Sequence, residues 1–150
     1  MLKKTVTYET FDGETVTEDF YFNLTKAELS DRQFSVKGGL SALLEQIIKT
    51  NDQTKMYNMF KEIILAAYGE KSADGRKFIK SKEISENFTH TEAYSTIFME
   101  LLNDADAAAA FVTGILPKDI QSNVKDGFDA ELKKLRETNV RTGSDVSATS

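Results

Sequence analysis

The amino-acid sequence predicts an α+β fold, mainly α, in which an N-terminal β-hairpin is followed by a compact bundle of about six helices. Three observations support this prediction. Residues 2–24 alternate in polarity around an Asp-Gly pair, later segments carry apolar residues at helical spacing, and one proline in 150 residues leaves little linker. A single domain of this length buries about two thirds of its unfolded-chain surface.

Composition excludes several kinds of function. The 24 acidic residues outnumber the 19 basic ones, and a net charge of −5 argues against binding to nucleic acid or to an anionic membrane surface. The absence of cysteine excludes disulfides, thiolate catalysis and cysteine zinc sites. No apolar run reaches the length of a signal-peptide core or a membrane span, so we expect a soluble protein.

The parity of the apolar residues fixes the expected hairpin register. Residues 2–10 and 14–24 favour strands, and their apolar side chains fall on the even positions Leu2, Val6, Tyr8, Val16, Phe20 and Phe22. A two-residue loop would split this set between the two faces, whereas a three-residue loop at 11–13 pairs Tyr8 with Val16 and Leu2 with Phe22. We expect the even face to pack on helices or to join another sheet.

Capping patterns locate the first helices. Residues 25–28 form a capping box between Leu24 and Leu29, and Gly38-Gly39 ends that short helix. A second stripe follows at Leu40, Leu43, Leu44, Ile47 and Ile48. Asp52 then precedes the central helix, residues 55–68, whose apolar positions cover about half its circumference and predict a core helix. Gly69 suits the C′ position of that helix, and Met56 and Met59 are interpreted as core.

The middle of the chain predicts a turn and three more helices. Residues 69–81 predict a charged loop or a short hairpin ending in Phe78 and Ile79. Neither of the two glycine-rich phosphate-binding motifs is present there. Ser81 caps a helix that ends near Phe88. A second capping box at 89–92 opens a helix with Tyr94, Ile97, Phe98, Leu101 and Leu102 on one face. Asp104 caps an alanine-rich helix that Gly114 and Pro117 close.

The last part of the chain is weaker in pattern, so we divide the sequence into a domain at 1–117, an amphipathic helix at 118–137 and a disordered tail at 138–150. The helix carries a narrow apolar seam, which we define as Ile120, Val124, Phe128, Leu132 and Leu135. The seam suits docking on its own domain and docking on a partner equally well.

No pattern of catalytic or metal-binding residues is present. His90, the only histidine, is expected at an exposed helix start, and a general base also needs a nucleophile or an orienting carboxylate. Asp104 and Asp106 lack the spacing of a calcium loop and suit a helix N-terminus. We therefore expect no enzyme activity, no cofactor and no metal site.

Three stretches resemble tail assembly chaperones of long-tailed phages that infect Gram-positive bacteria. They are EDFYFNLTKAEL (18–29), IILAAYGEKSADGRKFIKS (63–81) and TEAYSTIFMELLNDADAAAAFVTGILP (91–117). Together with the hairpin, the likeness runs over residues 3–117, and YGEKSADGRKFIKS followed by TEAYS is its most specific part.

The resemblance implies an assembly factor in the cytoplasm of the infected bacterium. Such proteins bind the tape measure protein, keep it soluble and are displaced as tail tube subunits polymerise along it. Tape measure protein and tail tube protein are thus the expected partners, and a homo-oligomer is left open. We expect Met99 and the seam to contact the partner. The alternative is a structural virion component of the tail terminator or connector type, because hairpin strands can extend a sheet between subunits.

Overall fold

A computed structural model describes residues 1–31, 45, 46, 49, 52–118, 121 and 133 of the chain. In chain order its elements are β1 (Leu2–Glu9), β2 (Thr15–Phe22), α1 (Lys26–Asp31), α2 (Gln53–Ala67), β3 (Tyr68–Lys71), β4 (Phe78–Ile79), α3 (Lys82–Thr89), α4 (Glu92–Asn103) and α5 (Ala105–Ile115). The α+β class with helices predominating is confirmed. The expected count of about six helices is slightly too high for the described residues, which form five, because the segments expected at 40–48 and 118–137 lie mostly outside them.

The N-terminal hairpin has the register that parity predicts. Tyr8 lies opposite Val16 and Leu2 lies opposite Phe22. The three-residue loop closes with the Thr10 N–H donating to the Glu14 carbonyl at 2.7 Å. Gly13 has a φ of 88°, which only glycine adopts without strain, so the loop length and the residue at its third position agree.

The hairpin continues into a four-stranded antiparallel sheet with the order β1-β2-β3-β4. The segment at 69–81 is thus a short hairpin, one of its two predicted forms. Tyr21 lies opposite Gly69, and this pairing joins the two hairpins. The second turn is held by Asp74, whose carboxylate accepts hydrogen bonds from the Ser72 hydroxyl at 2.6 Å and the Arg76 N–H at 3.0 Å.

Gly69 follows the C-cap Tyr68 and so occupies the predicted C′ position, but it lies in β3 without the positive φ of an αL cap. Helix α2 ends at Ala67, and Tyr68 is already extended, with φ −67° and ψ 141°. A Cβ atom on Gly69 would lie 2.8 Å from the Phe78 ring and 2.9 Å from the Ile79 carbonyl oxygen. The glycine is therefore required by the close approach of β4, a contact between residues that local sequence patterns do not reveal.

Most predicted caps are present. Thr25 and Glu28 form the reciprocal capping box, with N–H to side-chain oxygen distances of 3.0 and 3.1 Å. Asp52, Ser81 and Asp104 accept hydrogen bonds from the first turns of α2, α3 and α5. These side chains satisfy backbone donors that the helices leave unpaired, and so they set the helix starts.

Two helix boundaries differ from the prediction. The start of α4 is capped by Thr91, which accepts from the Tyr94 N–H at 3.1 Å, rather than by Thr89. Thr89 is still the last residue of α3, and its hydroxyl donates to the Glu86 carbonyl. Gly114 lies inside α5 rather than closing it, at a point where Leu2 would come within 2.9 Å of an added Cβ.

The core lies between the even face of the sheet and helices α2 to α5. Val6, Phe20 and Phe22 are buried there, as predicted for the even row. Phe88 connects the layers, because its ring stacks on Tyr68 at 3.9 Å and also contacts Phe20, Phe22 and Tyr94 at 5.5–5.9 Å. Met59 is buried and Met56 packs against the same cluster, which confirms the core interpretation of both.

Candidate protein-interaction surface

Met99 is the predicted contact residue whose surroundings the structure shows. It lies on α4, whose inner face buries Ala93, Ile97, Phe98 and Leu101. The Met99 side chain is instead 48% exposed. An unbranched thioether at the surface makes adaptable apolar contacts. The other predicted contact residues, Ile120, Val124, Phe128, Leu132 and Leu135, lie outside the described residues.

Two contacts fix how α4 presents Met99. On one flank, the Phe98 ring meets the Tyr57 ring of α2 edge to face, with centroids 4.7 Å apart. On the other flank, Glu100 accepts a hydrogen bond from Lys4 of β1 at 2.9 Å. Successive helical residues point about 100° apart, so Met99 is directed outward between these two anchors. The exposure of Met99 thus follows from the packing of α4.

Tyr57 is an exposed aromatic residue of the neighbouring helix α2. Its side chain is 45% exposed although one edge of the ring packs on Phe98. Beneath it, the Tyr94 hydroxyl is buried, and no described residue forms a hydrogen bond with it. Burial, reinforced by the neighbouring Tyr57, raises the pKa of Tyr94 to about 12. Exposed Tyr and Met side chains are typical of surfaces that bind other proteins. We call Tyr57 and Met99 the α2–α4 surface.

Two shallow grooves run along the outer side of α2. One, of about 540 Å³, is lined by Gln46, Lys55, Asn58, Met59, Lys61, Glu62 and Leu65. The other, of about 480 Å³, is lined by Glu62, Leu65, Ala66, Lys80, Ser81, Lys82 and Ser85. They share Glu62 and Leu65 and therefore adjoin. Shallow, open grooves suit contact with a polypeptide better than enclosure of a small molecule.

Phe11 at the tip of the first hairpin is an exposed aromatic residue, and the sequence pattern predicts only that it lies in the loop. Its side chain is 78% exposed. The acidic residues Glu9, Asp12, Glu14, Glu18 and Asp19 surround it in sequence. The sequence signal that could have identified it is an aromatic residue within an otherwise polar turn. Such a turn has no apolar neighbours against which the ring could be buried.

Ionisable groups do not converge in the part of the chain that the structure describes. His90 is exposed and forms the C-cap of α3, not the start of a helix as predicted. Within the described ranges, no three His, Cys, Asp or Glu side chains are grouped so that they could hold a metal ion. None of the described helices is both long and apolar enough to cross a membrane.

Comparison with known proteins identifies one family. A family model described as phage tail assembly chaperone matches residues 1–149. This match extends beyond residues 3–117, where the sequence resemblance was drawn, and includes the segment that carries the seam. No curated protein and no solved structure matches the chain.

Proposed function

Because the chain belongs to the phage tail assembly chaperone family, we propose that it binds the tape measure protein of its phage, keeps that protein soluble and helps to recruit tail tube subunits. The observation that carries this proposal is the family match over residues 1–149. We place the activity in the cytoplasm of the infected bacterium, and the three resembling stretches suggest a Gram-positive host.

The surface chemistry is compatible with holding a long helical protein. A tape measure protein exposes apolar stripes along its helices, and such stripes aggregate unless they are covered. The α2–α4 surface and the two α2 grooves offer apolar area on helices, and amphipathic helices commonly bind to such surfaces. The net charge of −5 helps to keep a complex of many copies soluble.

Co-expression with the tape measure protein of the same phage tests the proposal. We expect the tape measure protein to move into the soluble fraction and to co-purify with the full chain. Met99→Lys should reduce the amount of tape measure protein recovered, because a charge would face the apolar stripe. Asn87→Lys is the matched control, since Asn87 is also exposed but lies on α3 and not on α4. Failure of the wild-type chain to improve solubility or to co-purify would overturn the proposal.

The seam is tested in the same assay. Val124→Lys combined with Leu132→Lys places two charges on the seam, whereas Ala130→Lys adds a charge beside it. If the seam binds the partner, the double variant loses tape measure protein and keeps its own thermal stability. If the seam packs on its own domain, the double variant loses thermal stability as well.

We further propose that the protein is not an enzyme. His90→Ala should leave phage yield unchanged, because an exposed helix C-cap has no described catalytic neighbour. A large loss of yield would contradict this proposal.

The alternative function is that of a structural virion component, and the long open edge of β1 is the observation that favours it. Mass spectrometry of purified virions separates the two. An assembly factor should be absent or present in trace amounts, whereas a tail terminator or connector should be present in stoichiometric copies.

A further inference from the structure

Among the described residues, no strand pairs with the outer side of β1, which is an open edge of the sheet along its whole length. It is the terminal strand, and it pairs with β2 through all eight of its residues without a bulge. At the opposite end of the sheet, β4 is only two residues long. Proteins usually shorten, bend or cover such an edge, because its unpaired backbone groups bind other strands. An unbroken edge of this length therefore calls for a physical explanation.

The hydrogen-bond pattern shows which residues face outward. Thr10 forms a bonded pair with Glu14, and in an antiparallel pair the bonded and non-bonded positions alternate. The even residues of β1 therefore bond to β2. The odd residues direct their backbone N–H and C=O groups to the open edge, and they are Lys3, Thr5, Thr7 and Glu9. Their side chains lie on the exposed face of the sheet.

The geometry points to a second copy of this chain as the occupant of the edge, paired antiparallel to β1 about a two-fold axis at Val6. In this register Lys3 faces Glu9 of the second copy, and Thr5 faces its Thr7. All four odd residues then form bonded pairs, which supply about eight hydrogen bonds, two for each pair. The two sheets join into one, with twice the four strands of each monomer and with the helices of both copies on the same side.

Charge selects both the partner and the register. Lysines on an edge strand ordinarily oppose pairing with another strand. Here each Lys3 meets a carboxylate, and the symmetry repeats that ion pair. A shift of two residues in either direction keeps the bonding parity but places Lys3 opposite a threonine or beyond the end of the paired strand. A shift of one residue would place the odd residues of one β1 opposite even residues of the other, whose backbone groups already bond to β2.

Molecular mass and charge exchange test the interface in the full chain. Sedimentation over a range of concentrations should show twice the monomer mass of 16.8 kDa. Lys3→Glu or Glu9→Lys alone places like charges face to face at two symmetric points, and each should raise the dissociation constant about tenfold or more. The double variant restores opposite charges and should restore the wild-type dissociation constant. Lys61→Glu on α2 is the matched control and should change nothing.

Cysteine cross-linking tests the register, because the chain has no cysteine of its own. Val6→Cys places two thiols across the axis at a non-bonded pair, where Cα atoms lie about 4.5 Å apart and a disulfide can form. Thr5→Cys or Thr7→Cys would cross-link directly only in the registers shifted by two residues. A wild-type monomer at every concentration, a double variant that stays dissociated, or cross-linking at Thr5 or Thr7 in place of Val6 would each overturn the inference. Circular dichroism establishes that every variant is folded.

Self-association is measured on the purified chain alone, and a failure to bind tape measure protein would leave it untouched.

Discussion

Lys80 connects three parts of the fold, and its removal is the sharpest test of how the sheet is attached to the helices. Its ammonium group donates hydrogen bonds to the Asn23 carbonyl at 2.6 Å, the Ala66 carbonyl at 3.0 Å and the Glu28 carboxylate at 2.5 Å. Asn23 follows β2, Ala66 lies in the last turn of α2, and Glu28 belongs to the capping box of α1. The Lys80 side chain is only 16% exposed.

Lys80→Met keeps most of the apolar stem and removes the charge. A hydrogen bond to a charged group contributes about 1.5–3 kcal/mol, but water partly replaces the lost donor at Glu28. We therefore expect the free energy of unfolding to fall by about 2–4 kcal/mol, which is roughly 4–16 °C in melting temperature for a chain of this size. Lys82→Met is the matched control. Its side chain is 90% exposed beside Glu86, so the change should stay within about 0.5 kcal/mol.

Urea denaturation followed by circular dichroism measures both variants. The midpoint for Lys80→Met should fall while the slope m is unchanged, since the surface exposed on unfolding stays the same. Equal midpoints for the two variants would refute the reasoning, because they would mean that the three hydrogen bonds contribute no more than an exposed ion pair.

The same variant has a predicted effect on acid stability. Partial burial raises the pKa of Glu28, but the hydrogen bonds from Lys80 and Thr25 outweigh it and hold the pKa below its usual value of 4.5. A carboxyl with a lowered pKa stabilises the fold above its unfolded-state pKa, and this stability is lost as the pH falls through the folded-state pKa. Wild type should therefore lose more stability below about pH 4.5 than Lys80→Met does.

Three further predictions concern other parts of the fold. Gly69→Ala should destabilise by about 1–3 kcal/mol in urea denaturation, because the new Cβ meets the Ile79 carbonyl oxygen as well as the Phe78 ring. Gly114→Ala should be nearly neutral, because its closest contact is the movable Cδ1 of Leu2 and alanine favours the helix. Tyr94→Phe should not lower the melting temperature at pH 7. Between about pH 10 and 12 it should lose less stability than wild type, because the raised pKa of Tyr94 lets the unfolded chain ionise there more readily than the folded one. Deletion of residues 138–150 should leave the melting temperature unchanged; a fall of many degrees would contradict the prediction of a disordered tail.

Features that depend on neighbouring residues were predictable from the sequence. The hairpin register follows from the parity of six apolar residues and the position of Gly13, and a strand that slips by one residue would expose the whole set. The caps at Thr25, Asp52, Ser81 and Asp104 follow from short polar side chains placed just before apolar periodic segments. Both features depend on residues a few positions apart, so local sequence patterns predict them.

Features that depend on distant residues were not predictable. Gly69 has the sequence context of a helix C′ residue, and only the approach of Phe78 and Ile79 explains why it lies in a strand. The sequence around Lys80 predicts an ordinary exposed charge in a polar turn, yet its hydrogen-bond partners lie up to 57 residues away in the chain. Thr89 and Thr91 are both suitable caps two residues apart, and the choice between them depends on where α3 ends. Sequence patterns rank such alternatives equally, and tertiary contacts decide.

The packing of α4 makes self-association and partner binding separable. Glu100 of α4 contacts Lys4 on the helix-facing side of β1, whereas the Lys3 side chain lies on the exposed face of the sheet, so the α2–α4 surface and the charge at Lys3 lie on opposite sides of the sheet. Charge changes at Lys3 should therefore dissociate copies without touching the α2–α4 surface. If many copies line one tape measure helix, joining them in pairs raises the effective concentration of the second contact. Lys3→Glu should then weaken capture of the tape measure protein only through lost avidity, and the double variant Lys3→Glu/Glu9→Lys should recover it.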